Sequence, residues 1–293
     1  MIKKYRILTG PESIQGSEAW KEFRRGKMTA SMAASVMGLD PWRTSLQLFN
    51  EWIVGDSKIE TEAMRRGTRL EPVARDLINS MTKRWYKPVV IQSLVNPLFM
   101  VSLDGFWEDE EGNAHIIEIK CPNEKTHKNA GKGKVEIHYY LQMQMQMDIV
   151  GVDQITYVSF DGIKDIQTIV LKKDEEVCKD LYLRQIKFIE SVNEFRPPEP
   201  TEDDWTENKN EDLFLLAHQN RQLAEQEKEI KKKREEIKEM MQPFLTHEKM
   251  KVGDIKIQKI VTEGRIDYSQ IPELVGVDLE KYRGPSIVSW RIQ

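Results

Sequence analysis

The stretch that most constrains the fold, residues 102–122, reads SLDGFWEDEEGNAHIIEIKCP. Its centre, DEEGN, is rich in turn-forming residues, and the runs on either side carry the β-branched and aromatic residues typical of strands. If the hairpin folds about Glu111, Asp104 lies directly opposite Glu118, and residues opposed in this way have Cβ atoms about 5 Å apart on one face. A one-residue change in the turn would alter this pairing, so the interpretation depends on the register.

Two acids opposed on a strand pair repel each other unless a positive charge compensates them. Asp104, Glu118 and the backbone carbonyl of Ile119 form an oxygen set that suits Mg²⁺, for which Mn²⁺ can substitute. Alternation along the strand places Lys120 on the same face, where it would orient or activate water or neutralise charge in a phosphoryl-transfer transition state. The pattern therefore predicts phosphodiester hydrolysis.

The alternative is a surface hairpin on which Glu118 and Lys120 form an exposed ion pair, worth under about 1 kcal/mol. The apolar flanks in IIEIK, residues 116–120, favour a buried strand instead. Because burying a charged pair is costly, a buried strand that ends in these residues favours the metal site.

Composition predicts a globular, polar-rich chain, with 39% hydrophobic and 31% charged residues among 293. The net charge of −4 argues against a surface coated with basic residues, although it leaves room for a local basic site. No apolar run approaches the roughly 18 residues of a membrane span, and the N-terminus lacks an apolar signal core. The two cysteines suggest no disulfide framework, so we expect a cytoplasmic protein with no membrane association.

Periodicity and capping residues predict helices in three early segments: 17–38, with a second start at Thr29 and an end at Gly38, then 45–54, and 60–81. Pro72 lies inside the third segment and predicts a kink or a restart. Strands are expected at 88–95, 98–109, 114–120, 154–160 and 166–172, followed by a helix over about 174–195.

The segment HYYLQMQMQMDIVG, residues 138–151, gives conflicting signals. Its strict alternation of Gln and Met is typical of a half-buried strand. Its residue types, mainly Gln, Met and Leu, favour a helix instead. The residues alone leave this choice open.

An acidic, proline-rich segment divides the chain, so we expect a core over 1–197, a linker over 198–209 and a C-terminal module over 210–293. In the module, a charged helix is expected over 210–241, followed by strands in KVGDIKIQKIV and SIVSWRIQ. Its apolar residues recur every seven positions, but their companion positions are polar, which makes a stable coiled coil doubtful. Its lysines either track a DNA backbone or, interleaved with glutamates, form a solvated helix face.

Short motifs in a fixed order add a family resemblance. AWKEFRRGKMTAS, RRGTRLEP, SLDG, EIKCP and YYLQMQMQM resemble those of phage lambda-type exonucleases and YqaJ-type viral recombinases, members of the PD-(D/E)XK nuclease superfamily. The resemblance covers about residues 15–195, with Leu103 where the signature has proline. It implies an α/β fold with a restriction-endonuclease-like core, a mixed central β-sheet flanked by helices, and a long helix plus small β module as a C-terminal appendage.

The resemblance implies a Mg²⁺-dependent 5′→3′ exonuclease. It would digest linear double-stranded DNA from 5′-phosphate ends and leave 3′ single strands for recombination by annealing. The implied partners are a single-strand annealing protein and further copies of the chain in a trimeric ring, in a bacterial cell, encoded by a phage or prophage. Two alternatives stay open: a structure-specific or single-strand DNA nuclease with the same site, and a non-cutting DNA-binding or assembly protein on the same fold.

Residue by residue, the resemblance assigns metal binding to Asp104 and Glu118, catalysis to Lys120, and completion of the metal site to Glu71. The alternative for Glu71 is an ordinary acid on a helix surface. Gln142 matches a glutamine of the family that lies on a helix crossing the sheet, where it would bond the lysine, a water or the scissile phosphate. The resemblance thus favours the helix for residues 138–151.

The first motif implies that Arg24 and Ser31 hold the 5′-terminal phosphate, with Ser102 as a further contact. Arginine grips phosphate with two N–H groups, and a helix N-terminus predicted at residues 29–31 would also favour an anion. The alternatives are a solvated cation for Arg24 and a helix cap for Ser31.

Overall fold

The protein is described by a computed structural model over residues 3–55 and 61–260. The chain divides into two compact units, Met1–Thr206 and Glu207–Gln293. The division lies inside the segment 198–209, whose boundaries as a linker stay a prediction. The expected strand in SIVSWRIQ and the expected helix start at Glu60 lie outside the described residues.

A mixed sheet forms the centre of the first unit and confirms the expected α/β fold. Its main path runs in the order β1, β3, β4, β5, β6, β7. Only the β5–β6 pair in this path is parallel. A short strand, β2, pairs in parallel with β4. The strands are β1 (Tyr5–Ile7), β2 (Met28–Thr29), β3 (Lys87–Ser93), β4 (Phe99–Glu108), β5 (Ala114–Lys120), β6 (Gln154–Phe160) and β7 (Ile166–Lys172).

One edge of β4 is shared by two strands. β2 pairs with the start of β4 at Phe99 and Met100, whereas β5 pairs with its end at Gly105–Glu108. The opposite edge of β4 is occupied by β3. Ser102 and Asp104 therefore lie at a fork in the sheet, between the points where β2 and β5 are paired.

The register of the central hairpin is confirmed. Gly105 pairs with Ile117, and the pairing continues in this register to the turn. Asp104 lies one step beyond the last pair, and its side chain accepts a hydrogen bond from the backbone N–H of Ile119 at 2.8 Å. Because the period of a strand is two, the buried side chains of Ile117 and Ile119 face the core while Glu118 faces the fork.

The helices of the first unit flank the sheet. They are α1 (Glu18–Arg24), α2 (Ala33–Val36), α3 (Ser45–Val54), α4 (Glu62–Thr82), α5 (Glu124–Ala130), α6 (Ile137–Val150) and α7 (Glu175–Asn193). Thr44 caps α3 in a capping box with Gln47, which explains why the sequence marks this helix clearly.

The helices predicted over 17–38 are partly wrong. Gly26 adopts a φ of +66°, and Met28–Thr29 joins the sheet as β2. The chain then forms a 3₁₀ helix at Ala30–Met32 and the single turn of α2. Pairing with β4 removes these residues from helical geometry, so tertiary contact overrides the helix-forming sequence. Gly38 does end this segment, with a φ of +70°.

Of the kink or restart predicted at Pro72, the restart is wrong, because α4 runs through Pro72 without interruption, and the kink stays a prediction. A proline inside a helix removes one backbone hydrogen bond and costs about 3 kcal/mol. The apolar face of α4 offsets this cost, since Ala74 and Ile78 are buried in a cluster with residues of β5 and β6.

α6 confirms the helix at residues 138–151. Met143, Met145 and Met147 are at most 3% exposed, and Gln144 and Gln146 between them are fully buried. A helix buried over most of its surface needs no amphipathic period. The alternation that resembles a strand pattern therefore reflects which buried positions require hydrogen bonds.

The second unit contains α8 (Glu211–Met241), a 3₁₀ helix (Gln242–Phe244) and the hairpin of β8 (Lys249–Val252) and β9 (Ile255–Gln258). Asn210 caps α8. The apolar residues spaced by seven along α8 are all exposed: Leu216, Leu223, Ile230 and Ile237. Within residues 3–55 and 61–260, no helix has both the length and the apolar character needed to cross a membrane.

Gly105 should tolerate no side chain. A Cβ atom there would lie 2.5 Å from Cγ1 of Ile117. We expect Gly105→Ala to lower the free energy of unfolding by about 1–3 kcal/mol in urea titrations, because the hairpin must shift to admit the methyl group. Gly67→Ala is the matched control, since Gly67 lies in α4 with open space around it. The control should raise the free energy of unfolding by about 0.4–1 kcal/mol. Unchanged stability of Gly105→Ala would contradict the tight contact.

Candidate active site

The centre of the site is the carboxylate of Glu118, which is 1% exposed on β5. Its Oε1 atom lies 2.5 Å from Nζ of Lys120 and accepts a hydrogen bond from Nε2 of Gln142 at 2.5 Å. Its Oε2 atom accepts a hydrogen bond from Nε2 of Gln146 at 2.6 Å. A buried carboxylate is stable only when paired and hydrogen-bonded, and these contacts meet that condition. This burial excludes an exposed surface ion pair between Glu118 and Lys120.

Lys120 remains partly accessible, with 23% of its side chain exposed. Burial alone would lower the pKa of its ammonium group, but the carboxylates of Glu118 and Asp104 raise that pKa above its ordinary value. Lys120 therefore carries a positive charge at neutral pH. The raised pKa of Lys120 favours a fixed positive charge over a base.

Asp104 lies among like charges. Burial raises the pKa of its carboxyl group well above the ordinary value, and the negative charges of Glu118 and Glu71 raise it further. The hydrogen bond from the N–H of Ile119 and the charge of Lys120 oppose this effect without cancelling it. Such crowding of acids is relieved when a cation binds between them.

Glu71 lies on α4 and is connected to the site by Arg75, which follows it by one helical turn. Nη1 of Arg75 donates to Oε1 of Glu71 at 2.9 Å and to the backbone carbonyl of Asp104 at 2.5 Å. Only 11% of the Arg75 side chain is exposed. Arg75 thus ties the acid on α4 to the strand that carries Asp104, which disfavours the role of Glu71 as an isolated surface acid.

The donor set fits a hard divalent cation, because carboxylate oxygens are the ligands such ions prefer. In the described part of the chain, no three His, Cys, Asp or Glu side chains are already placed to hold one ion together. Asp104, Glu118, Glu71 and the carbonyl of Ile119 therefore stay predicted ligands. The raised pKa of Asp104 supports a cation at this point.

A second group of polar side chains lies beside the fork and is called here the anion cluster: Arg24, Thr29 and Ser31. Nη2 of Arg24 donates to Oγ of Ser31 at 2.9 Å and to Oγ1 of Thr29 at 3.2 Å. The guanidinium carbon of Arg24 lies 4.9 Å from the ring centroid of Trp20. Nε1 of Trp20 donates to Oγ of Ser102 at 3.2 Å. The predicted phosphate-binding residues are thus connected through Trp20.

The helix N-terminus expected at Thr29 does not exist in that form. Thr29 precedes a three-residue 3₁₀ helix and makes no side-chain capping bond. Its hydroxyl instead contacts Ser31 at 3.1 Å. Support for anion binding therefore comes from a guanidinium group and two hydroxyls rather than from a helix dipole.

Comparison with known proteins shows to which family the chain belongs. Residues 19–153 match the YqaJ-like viral recombinase domain. A solved alkaline exonuclease, LHK-Exo from Laribacter hongkongensis, is 30% identical over 61% of this chain and 94% of its own, with a TM-score of 0.54. A second structure of LHK-Exo, in complex with dAMP, gives the same values. The chain belongs to the YqaJ-like viral recombinase family. Among proteins with curated descriptions, none matches it.

The sequence did not predict several residues that contact this site. Most of them lie in the motifs that carry the family resemblance. Trp20 and Thr29 belong to the first motif, and Gln146 lies one helical turn after Gln142. Arg66 donates to the carbonyls of Cys121, Pro122 and Asp161 and so fixes the chain directly after Lys120. Helical spacing could have indicated Gln146 and Arg75, because each follows a predicted site residue, Gln142 or Glu71, by four positions.

The two cysteines provide a chemical test of burial, Cys121 directly after Lys120 and Cys178 on α7. Burial raises the pKa of the Cys121 thiol to about 11 and that of Cys178 to about 12. Because the thiolate is the reactive form, both should react with a disulfide reagent at pH 8 at least about a hundredfold more slowly in the folded protein than in guanidinium. The rate for Cys121 should rise about tenfold per pH unit. Rapid labelling of the folded protein at pH 8 would contradict this packing.

Proposed function

We propose that this YqaJ-family protein is a metal-dependent 5′→3′ exonuclease, with Mg²⁺ as the ion and Mn²⁺ as a substitute. It hydrolyses linear double-stranded DNA from phosphorylated 5′ ends and leaves 3′ single strands for annealing. One observation carries the proposal. β4 contributes Ser102, which accepts a hydrogen bond from Trp20 beside the anion cluster, and Asp104, which belongs to the carboxylates, so one strand reaches both sites.

The anion cluster suits a terminal phosphate. Arg24 offers a permanent charge in a planar fork, and Thr29 and Ser31 offer hydroxyl donors. Internal phosphates of a DNA strand carry one negative charge, whereas a terminal phosphate carries up to two. The relative LHK-Exo is described in complex with dAMP, a nucleotide with one phosphate group, and this supports recognition of a terminal nucleotide.

The acidic cluster suits the hydrolysis step. Asp104, Glu118 and Glu71 would hold a divalent cation with the carbonyl of Ile119, and nucleases of this type generally depend on a metal ion. The ion, when bound, supplies a Lewis acid that polarises the phosphate and lowers the pKa of a water molecule. Lys120 holds its proton and stabilises negative charge that develops on the scissile phosphate. Gln142 donates a hydrogen bond to Oε1 of Glu118 and would transfer it to a water or to the scissile phosphate when DNA binds.

The proposal extends to the assembly. A ring of three chains would enclose the DNA, and a single-strand annealing protein would receive the 3′ strand. Both proposals rest on the resemblance to phage lambda-type exonucleases.

Digestion of matched DNA substrates tests the reaction. With Mg²⁺, linear duplexes with 5′-phosphate ends should be degraded faster than those with 5′-hydroxyl ends, and closed circles should survive. Lys120→Met should lower kcat by about 10²–10³-fold, because it removes one fixed charge that stabilises the transition state. Equal cutting of circles would contradict an exonuclease and favour a structure-specific nuclease. Absence of any cutting with Mg²⁺ or Mn²⁺ would contradict a nuclease and favour a non-cutting DNA-binding protein.

A pair of adjacent arginines tests the anion cluster. Arg24→Met should lower kcat/KM for 5′-phosphate ends by about tenfold or more and leave 5′-hydroxyl ends little changed, because a charge-assisted hydrogen bond contributes about 1.5–3 kcal/mol. Arg25→Met is the matched control, since Arg25 is exposed and pairs only weakly with Glu22. It should keep the preference for phosphorylated ends. Equal losses for both variants would contradict a specific role for Arg24.

A further inference from the structure

We infer that Gln146 is a positioning residue for Glu118: it holds the second carboxylate oxygen and bridges β4 and β5 at the fork. This inference rests on the proposed function, because it gives Glu118 the task of binding the metal ion. It assigns Gln146 no contact with substrate. Its effect on the reaction would pass through Glu118.

The contacts of the Gln146 amide support this role. Nε2 of Gln146 donates to Oε2 of Glu118 at 2.6 Å and to the backbone carbonyl of Ser102 at 3.4 Å. The β4–β5 pairing ends at Gly105 and Ile117, before either of these partners. Together with the hydrogen bond from the N–H of Ile119 to Asp104, this side chain therefore connects the two strands at the point where their own backbone hydrogen bonds stop.

The two oxygens of Glu118 are held differently. Oε1 has two partners, Lys120 and Gln142, both of which a substrate or an ion can compete for, since neither residue is fully buried. Oε2 is held by Gln146, which is fully buried. The Gln146 contact is thus the one that persists while the other oxygen exchanges partners.

Packing alone does not explain a glutamine at this position. Oε1 of Gln146 is buried and has no hydrogen-bond partner within the described chain. An unpaired buried acceptor lowers stability, whereas methionine, which α6 uses at Met143, Met145 and Met147, would fill similar space without this loss. The hydrogen bond from Gln146 to Glu118 offsets the stability lost through the unpaired oxygen.

Gln144 shows what a structural glutamine looks like on the same helix. It is also fully buried, but both ends of its amide are satisfied by backbone groups. Its Nε2 donates to the carbonyl of Lys172 at 3.0 Å, and its Oε1 accepts from the N–H of Asp174 at 2.8 Å. Gln144 therefore joins α6 to the chain that follows β7 and does not contact Glu118.

Metal binding by DNA-free protein tests the inference. We would titrate wild type, Gln146→Met and Gln144→Met with Mn²⁺ and follow free Mn²⁺ by electron paramagnetic resonance. Partners that orient a metal ligand typically change affinity by about 10–100-fold, so Gln146→Met should bind Mn²⁺ at least about tenfold more weakly. Gln144→Met should keep the wild-type affinity, even where thermal unfolding shows that it is the less stable variant.

Gln146→Leu, checked for folding by circular dichroism, serves if Gln146→Met does not fold, and it should show the same weakened binding. Wild-type affinity in a folded Gln146 variant would overturn the positioning role, as would an equal loss in Gln144→Met. The proposed function is tested separately by DNA cutting in the wild type. If the wild type cuts DNA and binds Mn²⁺ while the Gln146 variants bind it as tightly, only this inference fails. If the wild type neither cuts nor binds Mn²⁺, both fail.

Discussion

The buried charge of Glu118 is the constraint on which the surrounding structure depends. A carboxylate that is 1% exposed requires donors at both oxygens, and a single strand cannot supply them. Lys120 comes from the same strand, while Gln142 and Gln146 come from two successive turns of α6. This requirement fixes how α6 is rotated against the sheet, and the methionines between the glutamines then fill the space that remains.

Much of the hairpin and its acids could be predicted from the sequence, because the signals there are local. A turn-rich DEEGN between two apolar runs sets the register, and the period of two then decides that Asp104, Glu118 and Lys120 face one side. The helix over Ser45–Val54 was equally clear, since its capping box lies within four residues of sequence. The family resemblance added Arg24, Ser31 and Ser102, and the structure links these residues through Trp20.

Elements defined by distant contacts could not be predicted in this way. Met28–Thr29 is a strand because β4 provides a partner for it, and two residues are too few to show a strand pattern in the sequence. Pro72 normally interrupts a helix, but the buried face of α4 outweighs the lost hydrogen bond. Helical spacing places Gln146 one turn after Gln142, but its role could not be predicted, because its partners Glu118 and Ser102 belong to two strands that meet it only in the fold.

The fork in the sheet also fixes a distance. Ser102 and Asp104 are neighbours on one face of a hydrogen-bonded strand, and two residues of strand span about 7 Å. Under the proposed function, this strand contacts Trp20 beside the anion cluster at Ser102 and supplies a predicted metal ligand at Asp104, so it links the two sites rigidly. The distance between the bound DNA end and the bond that is cut would then be set in part by backbone geometry and would not depend on base sequence.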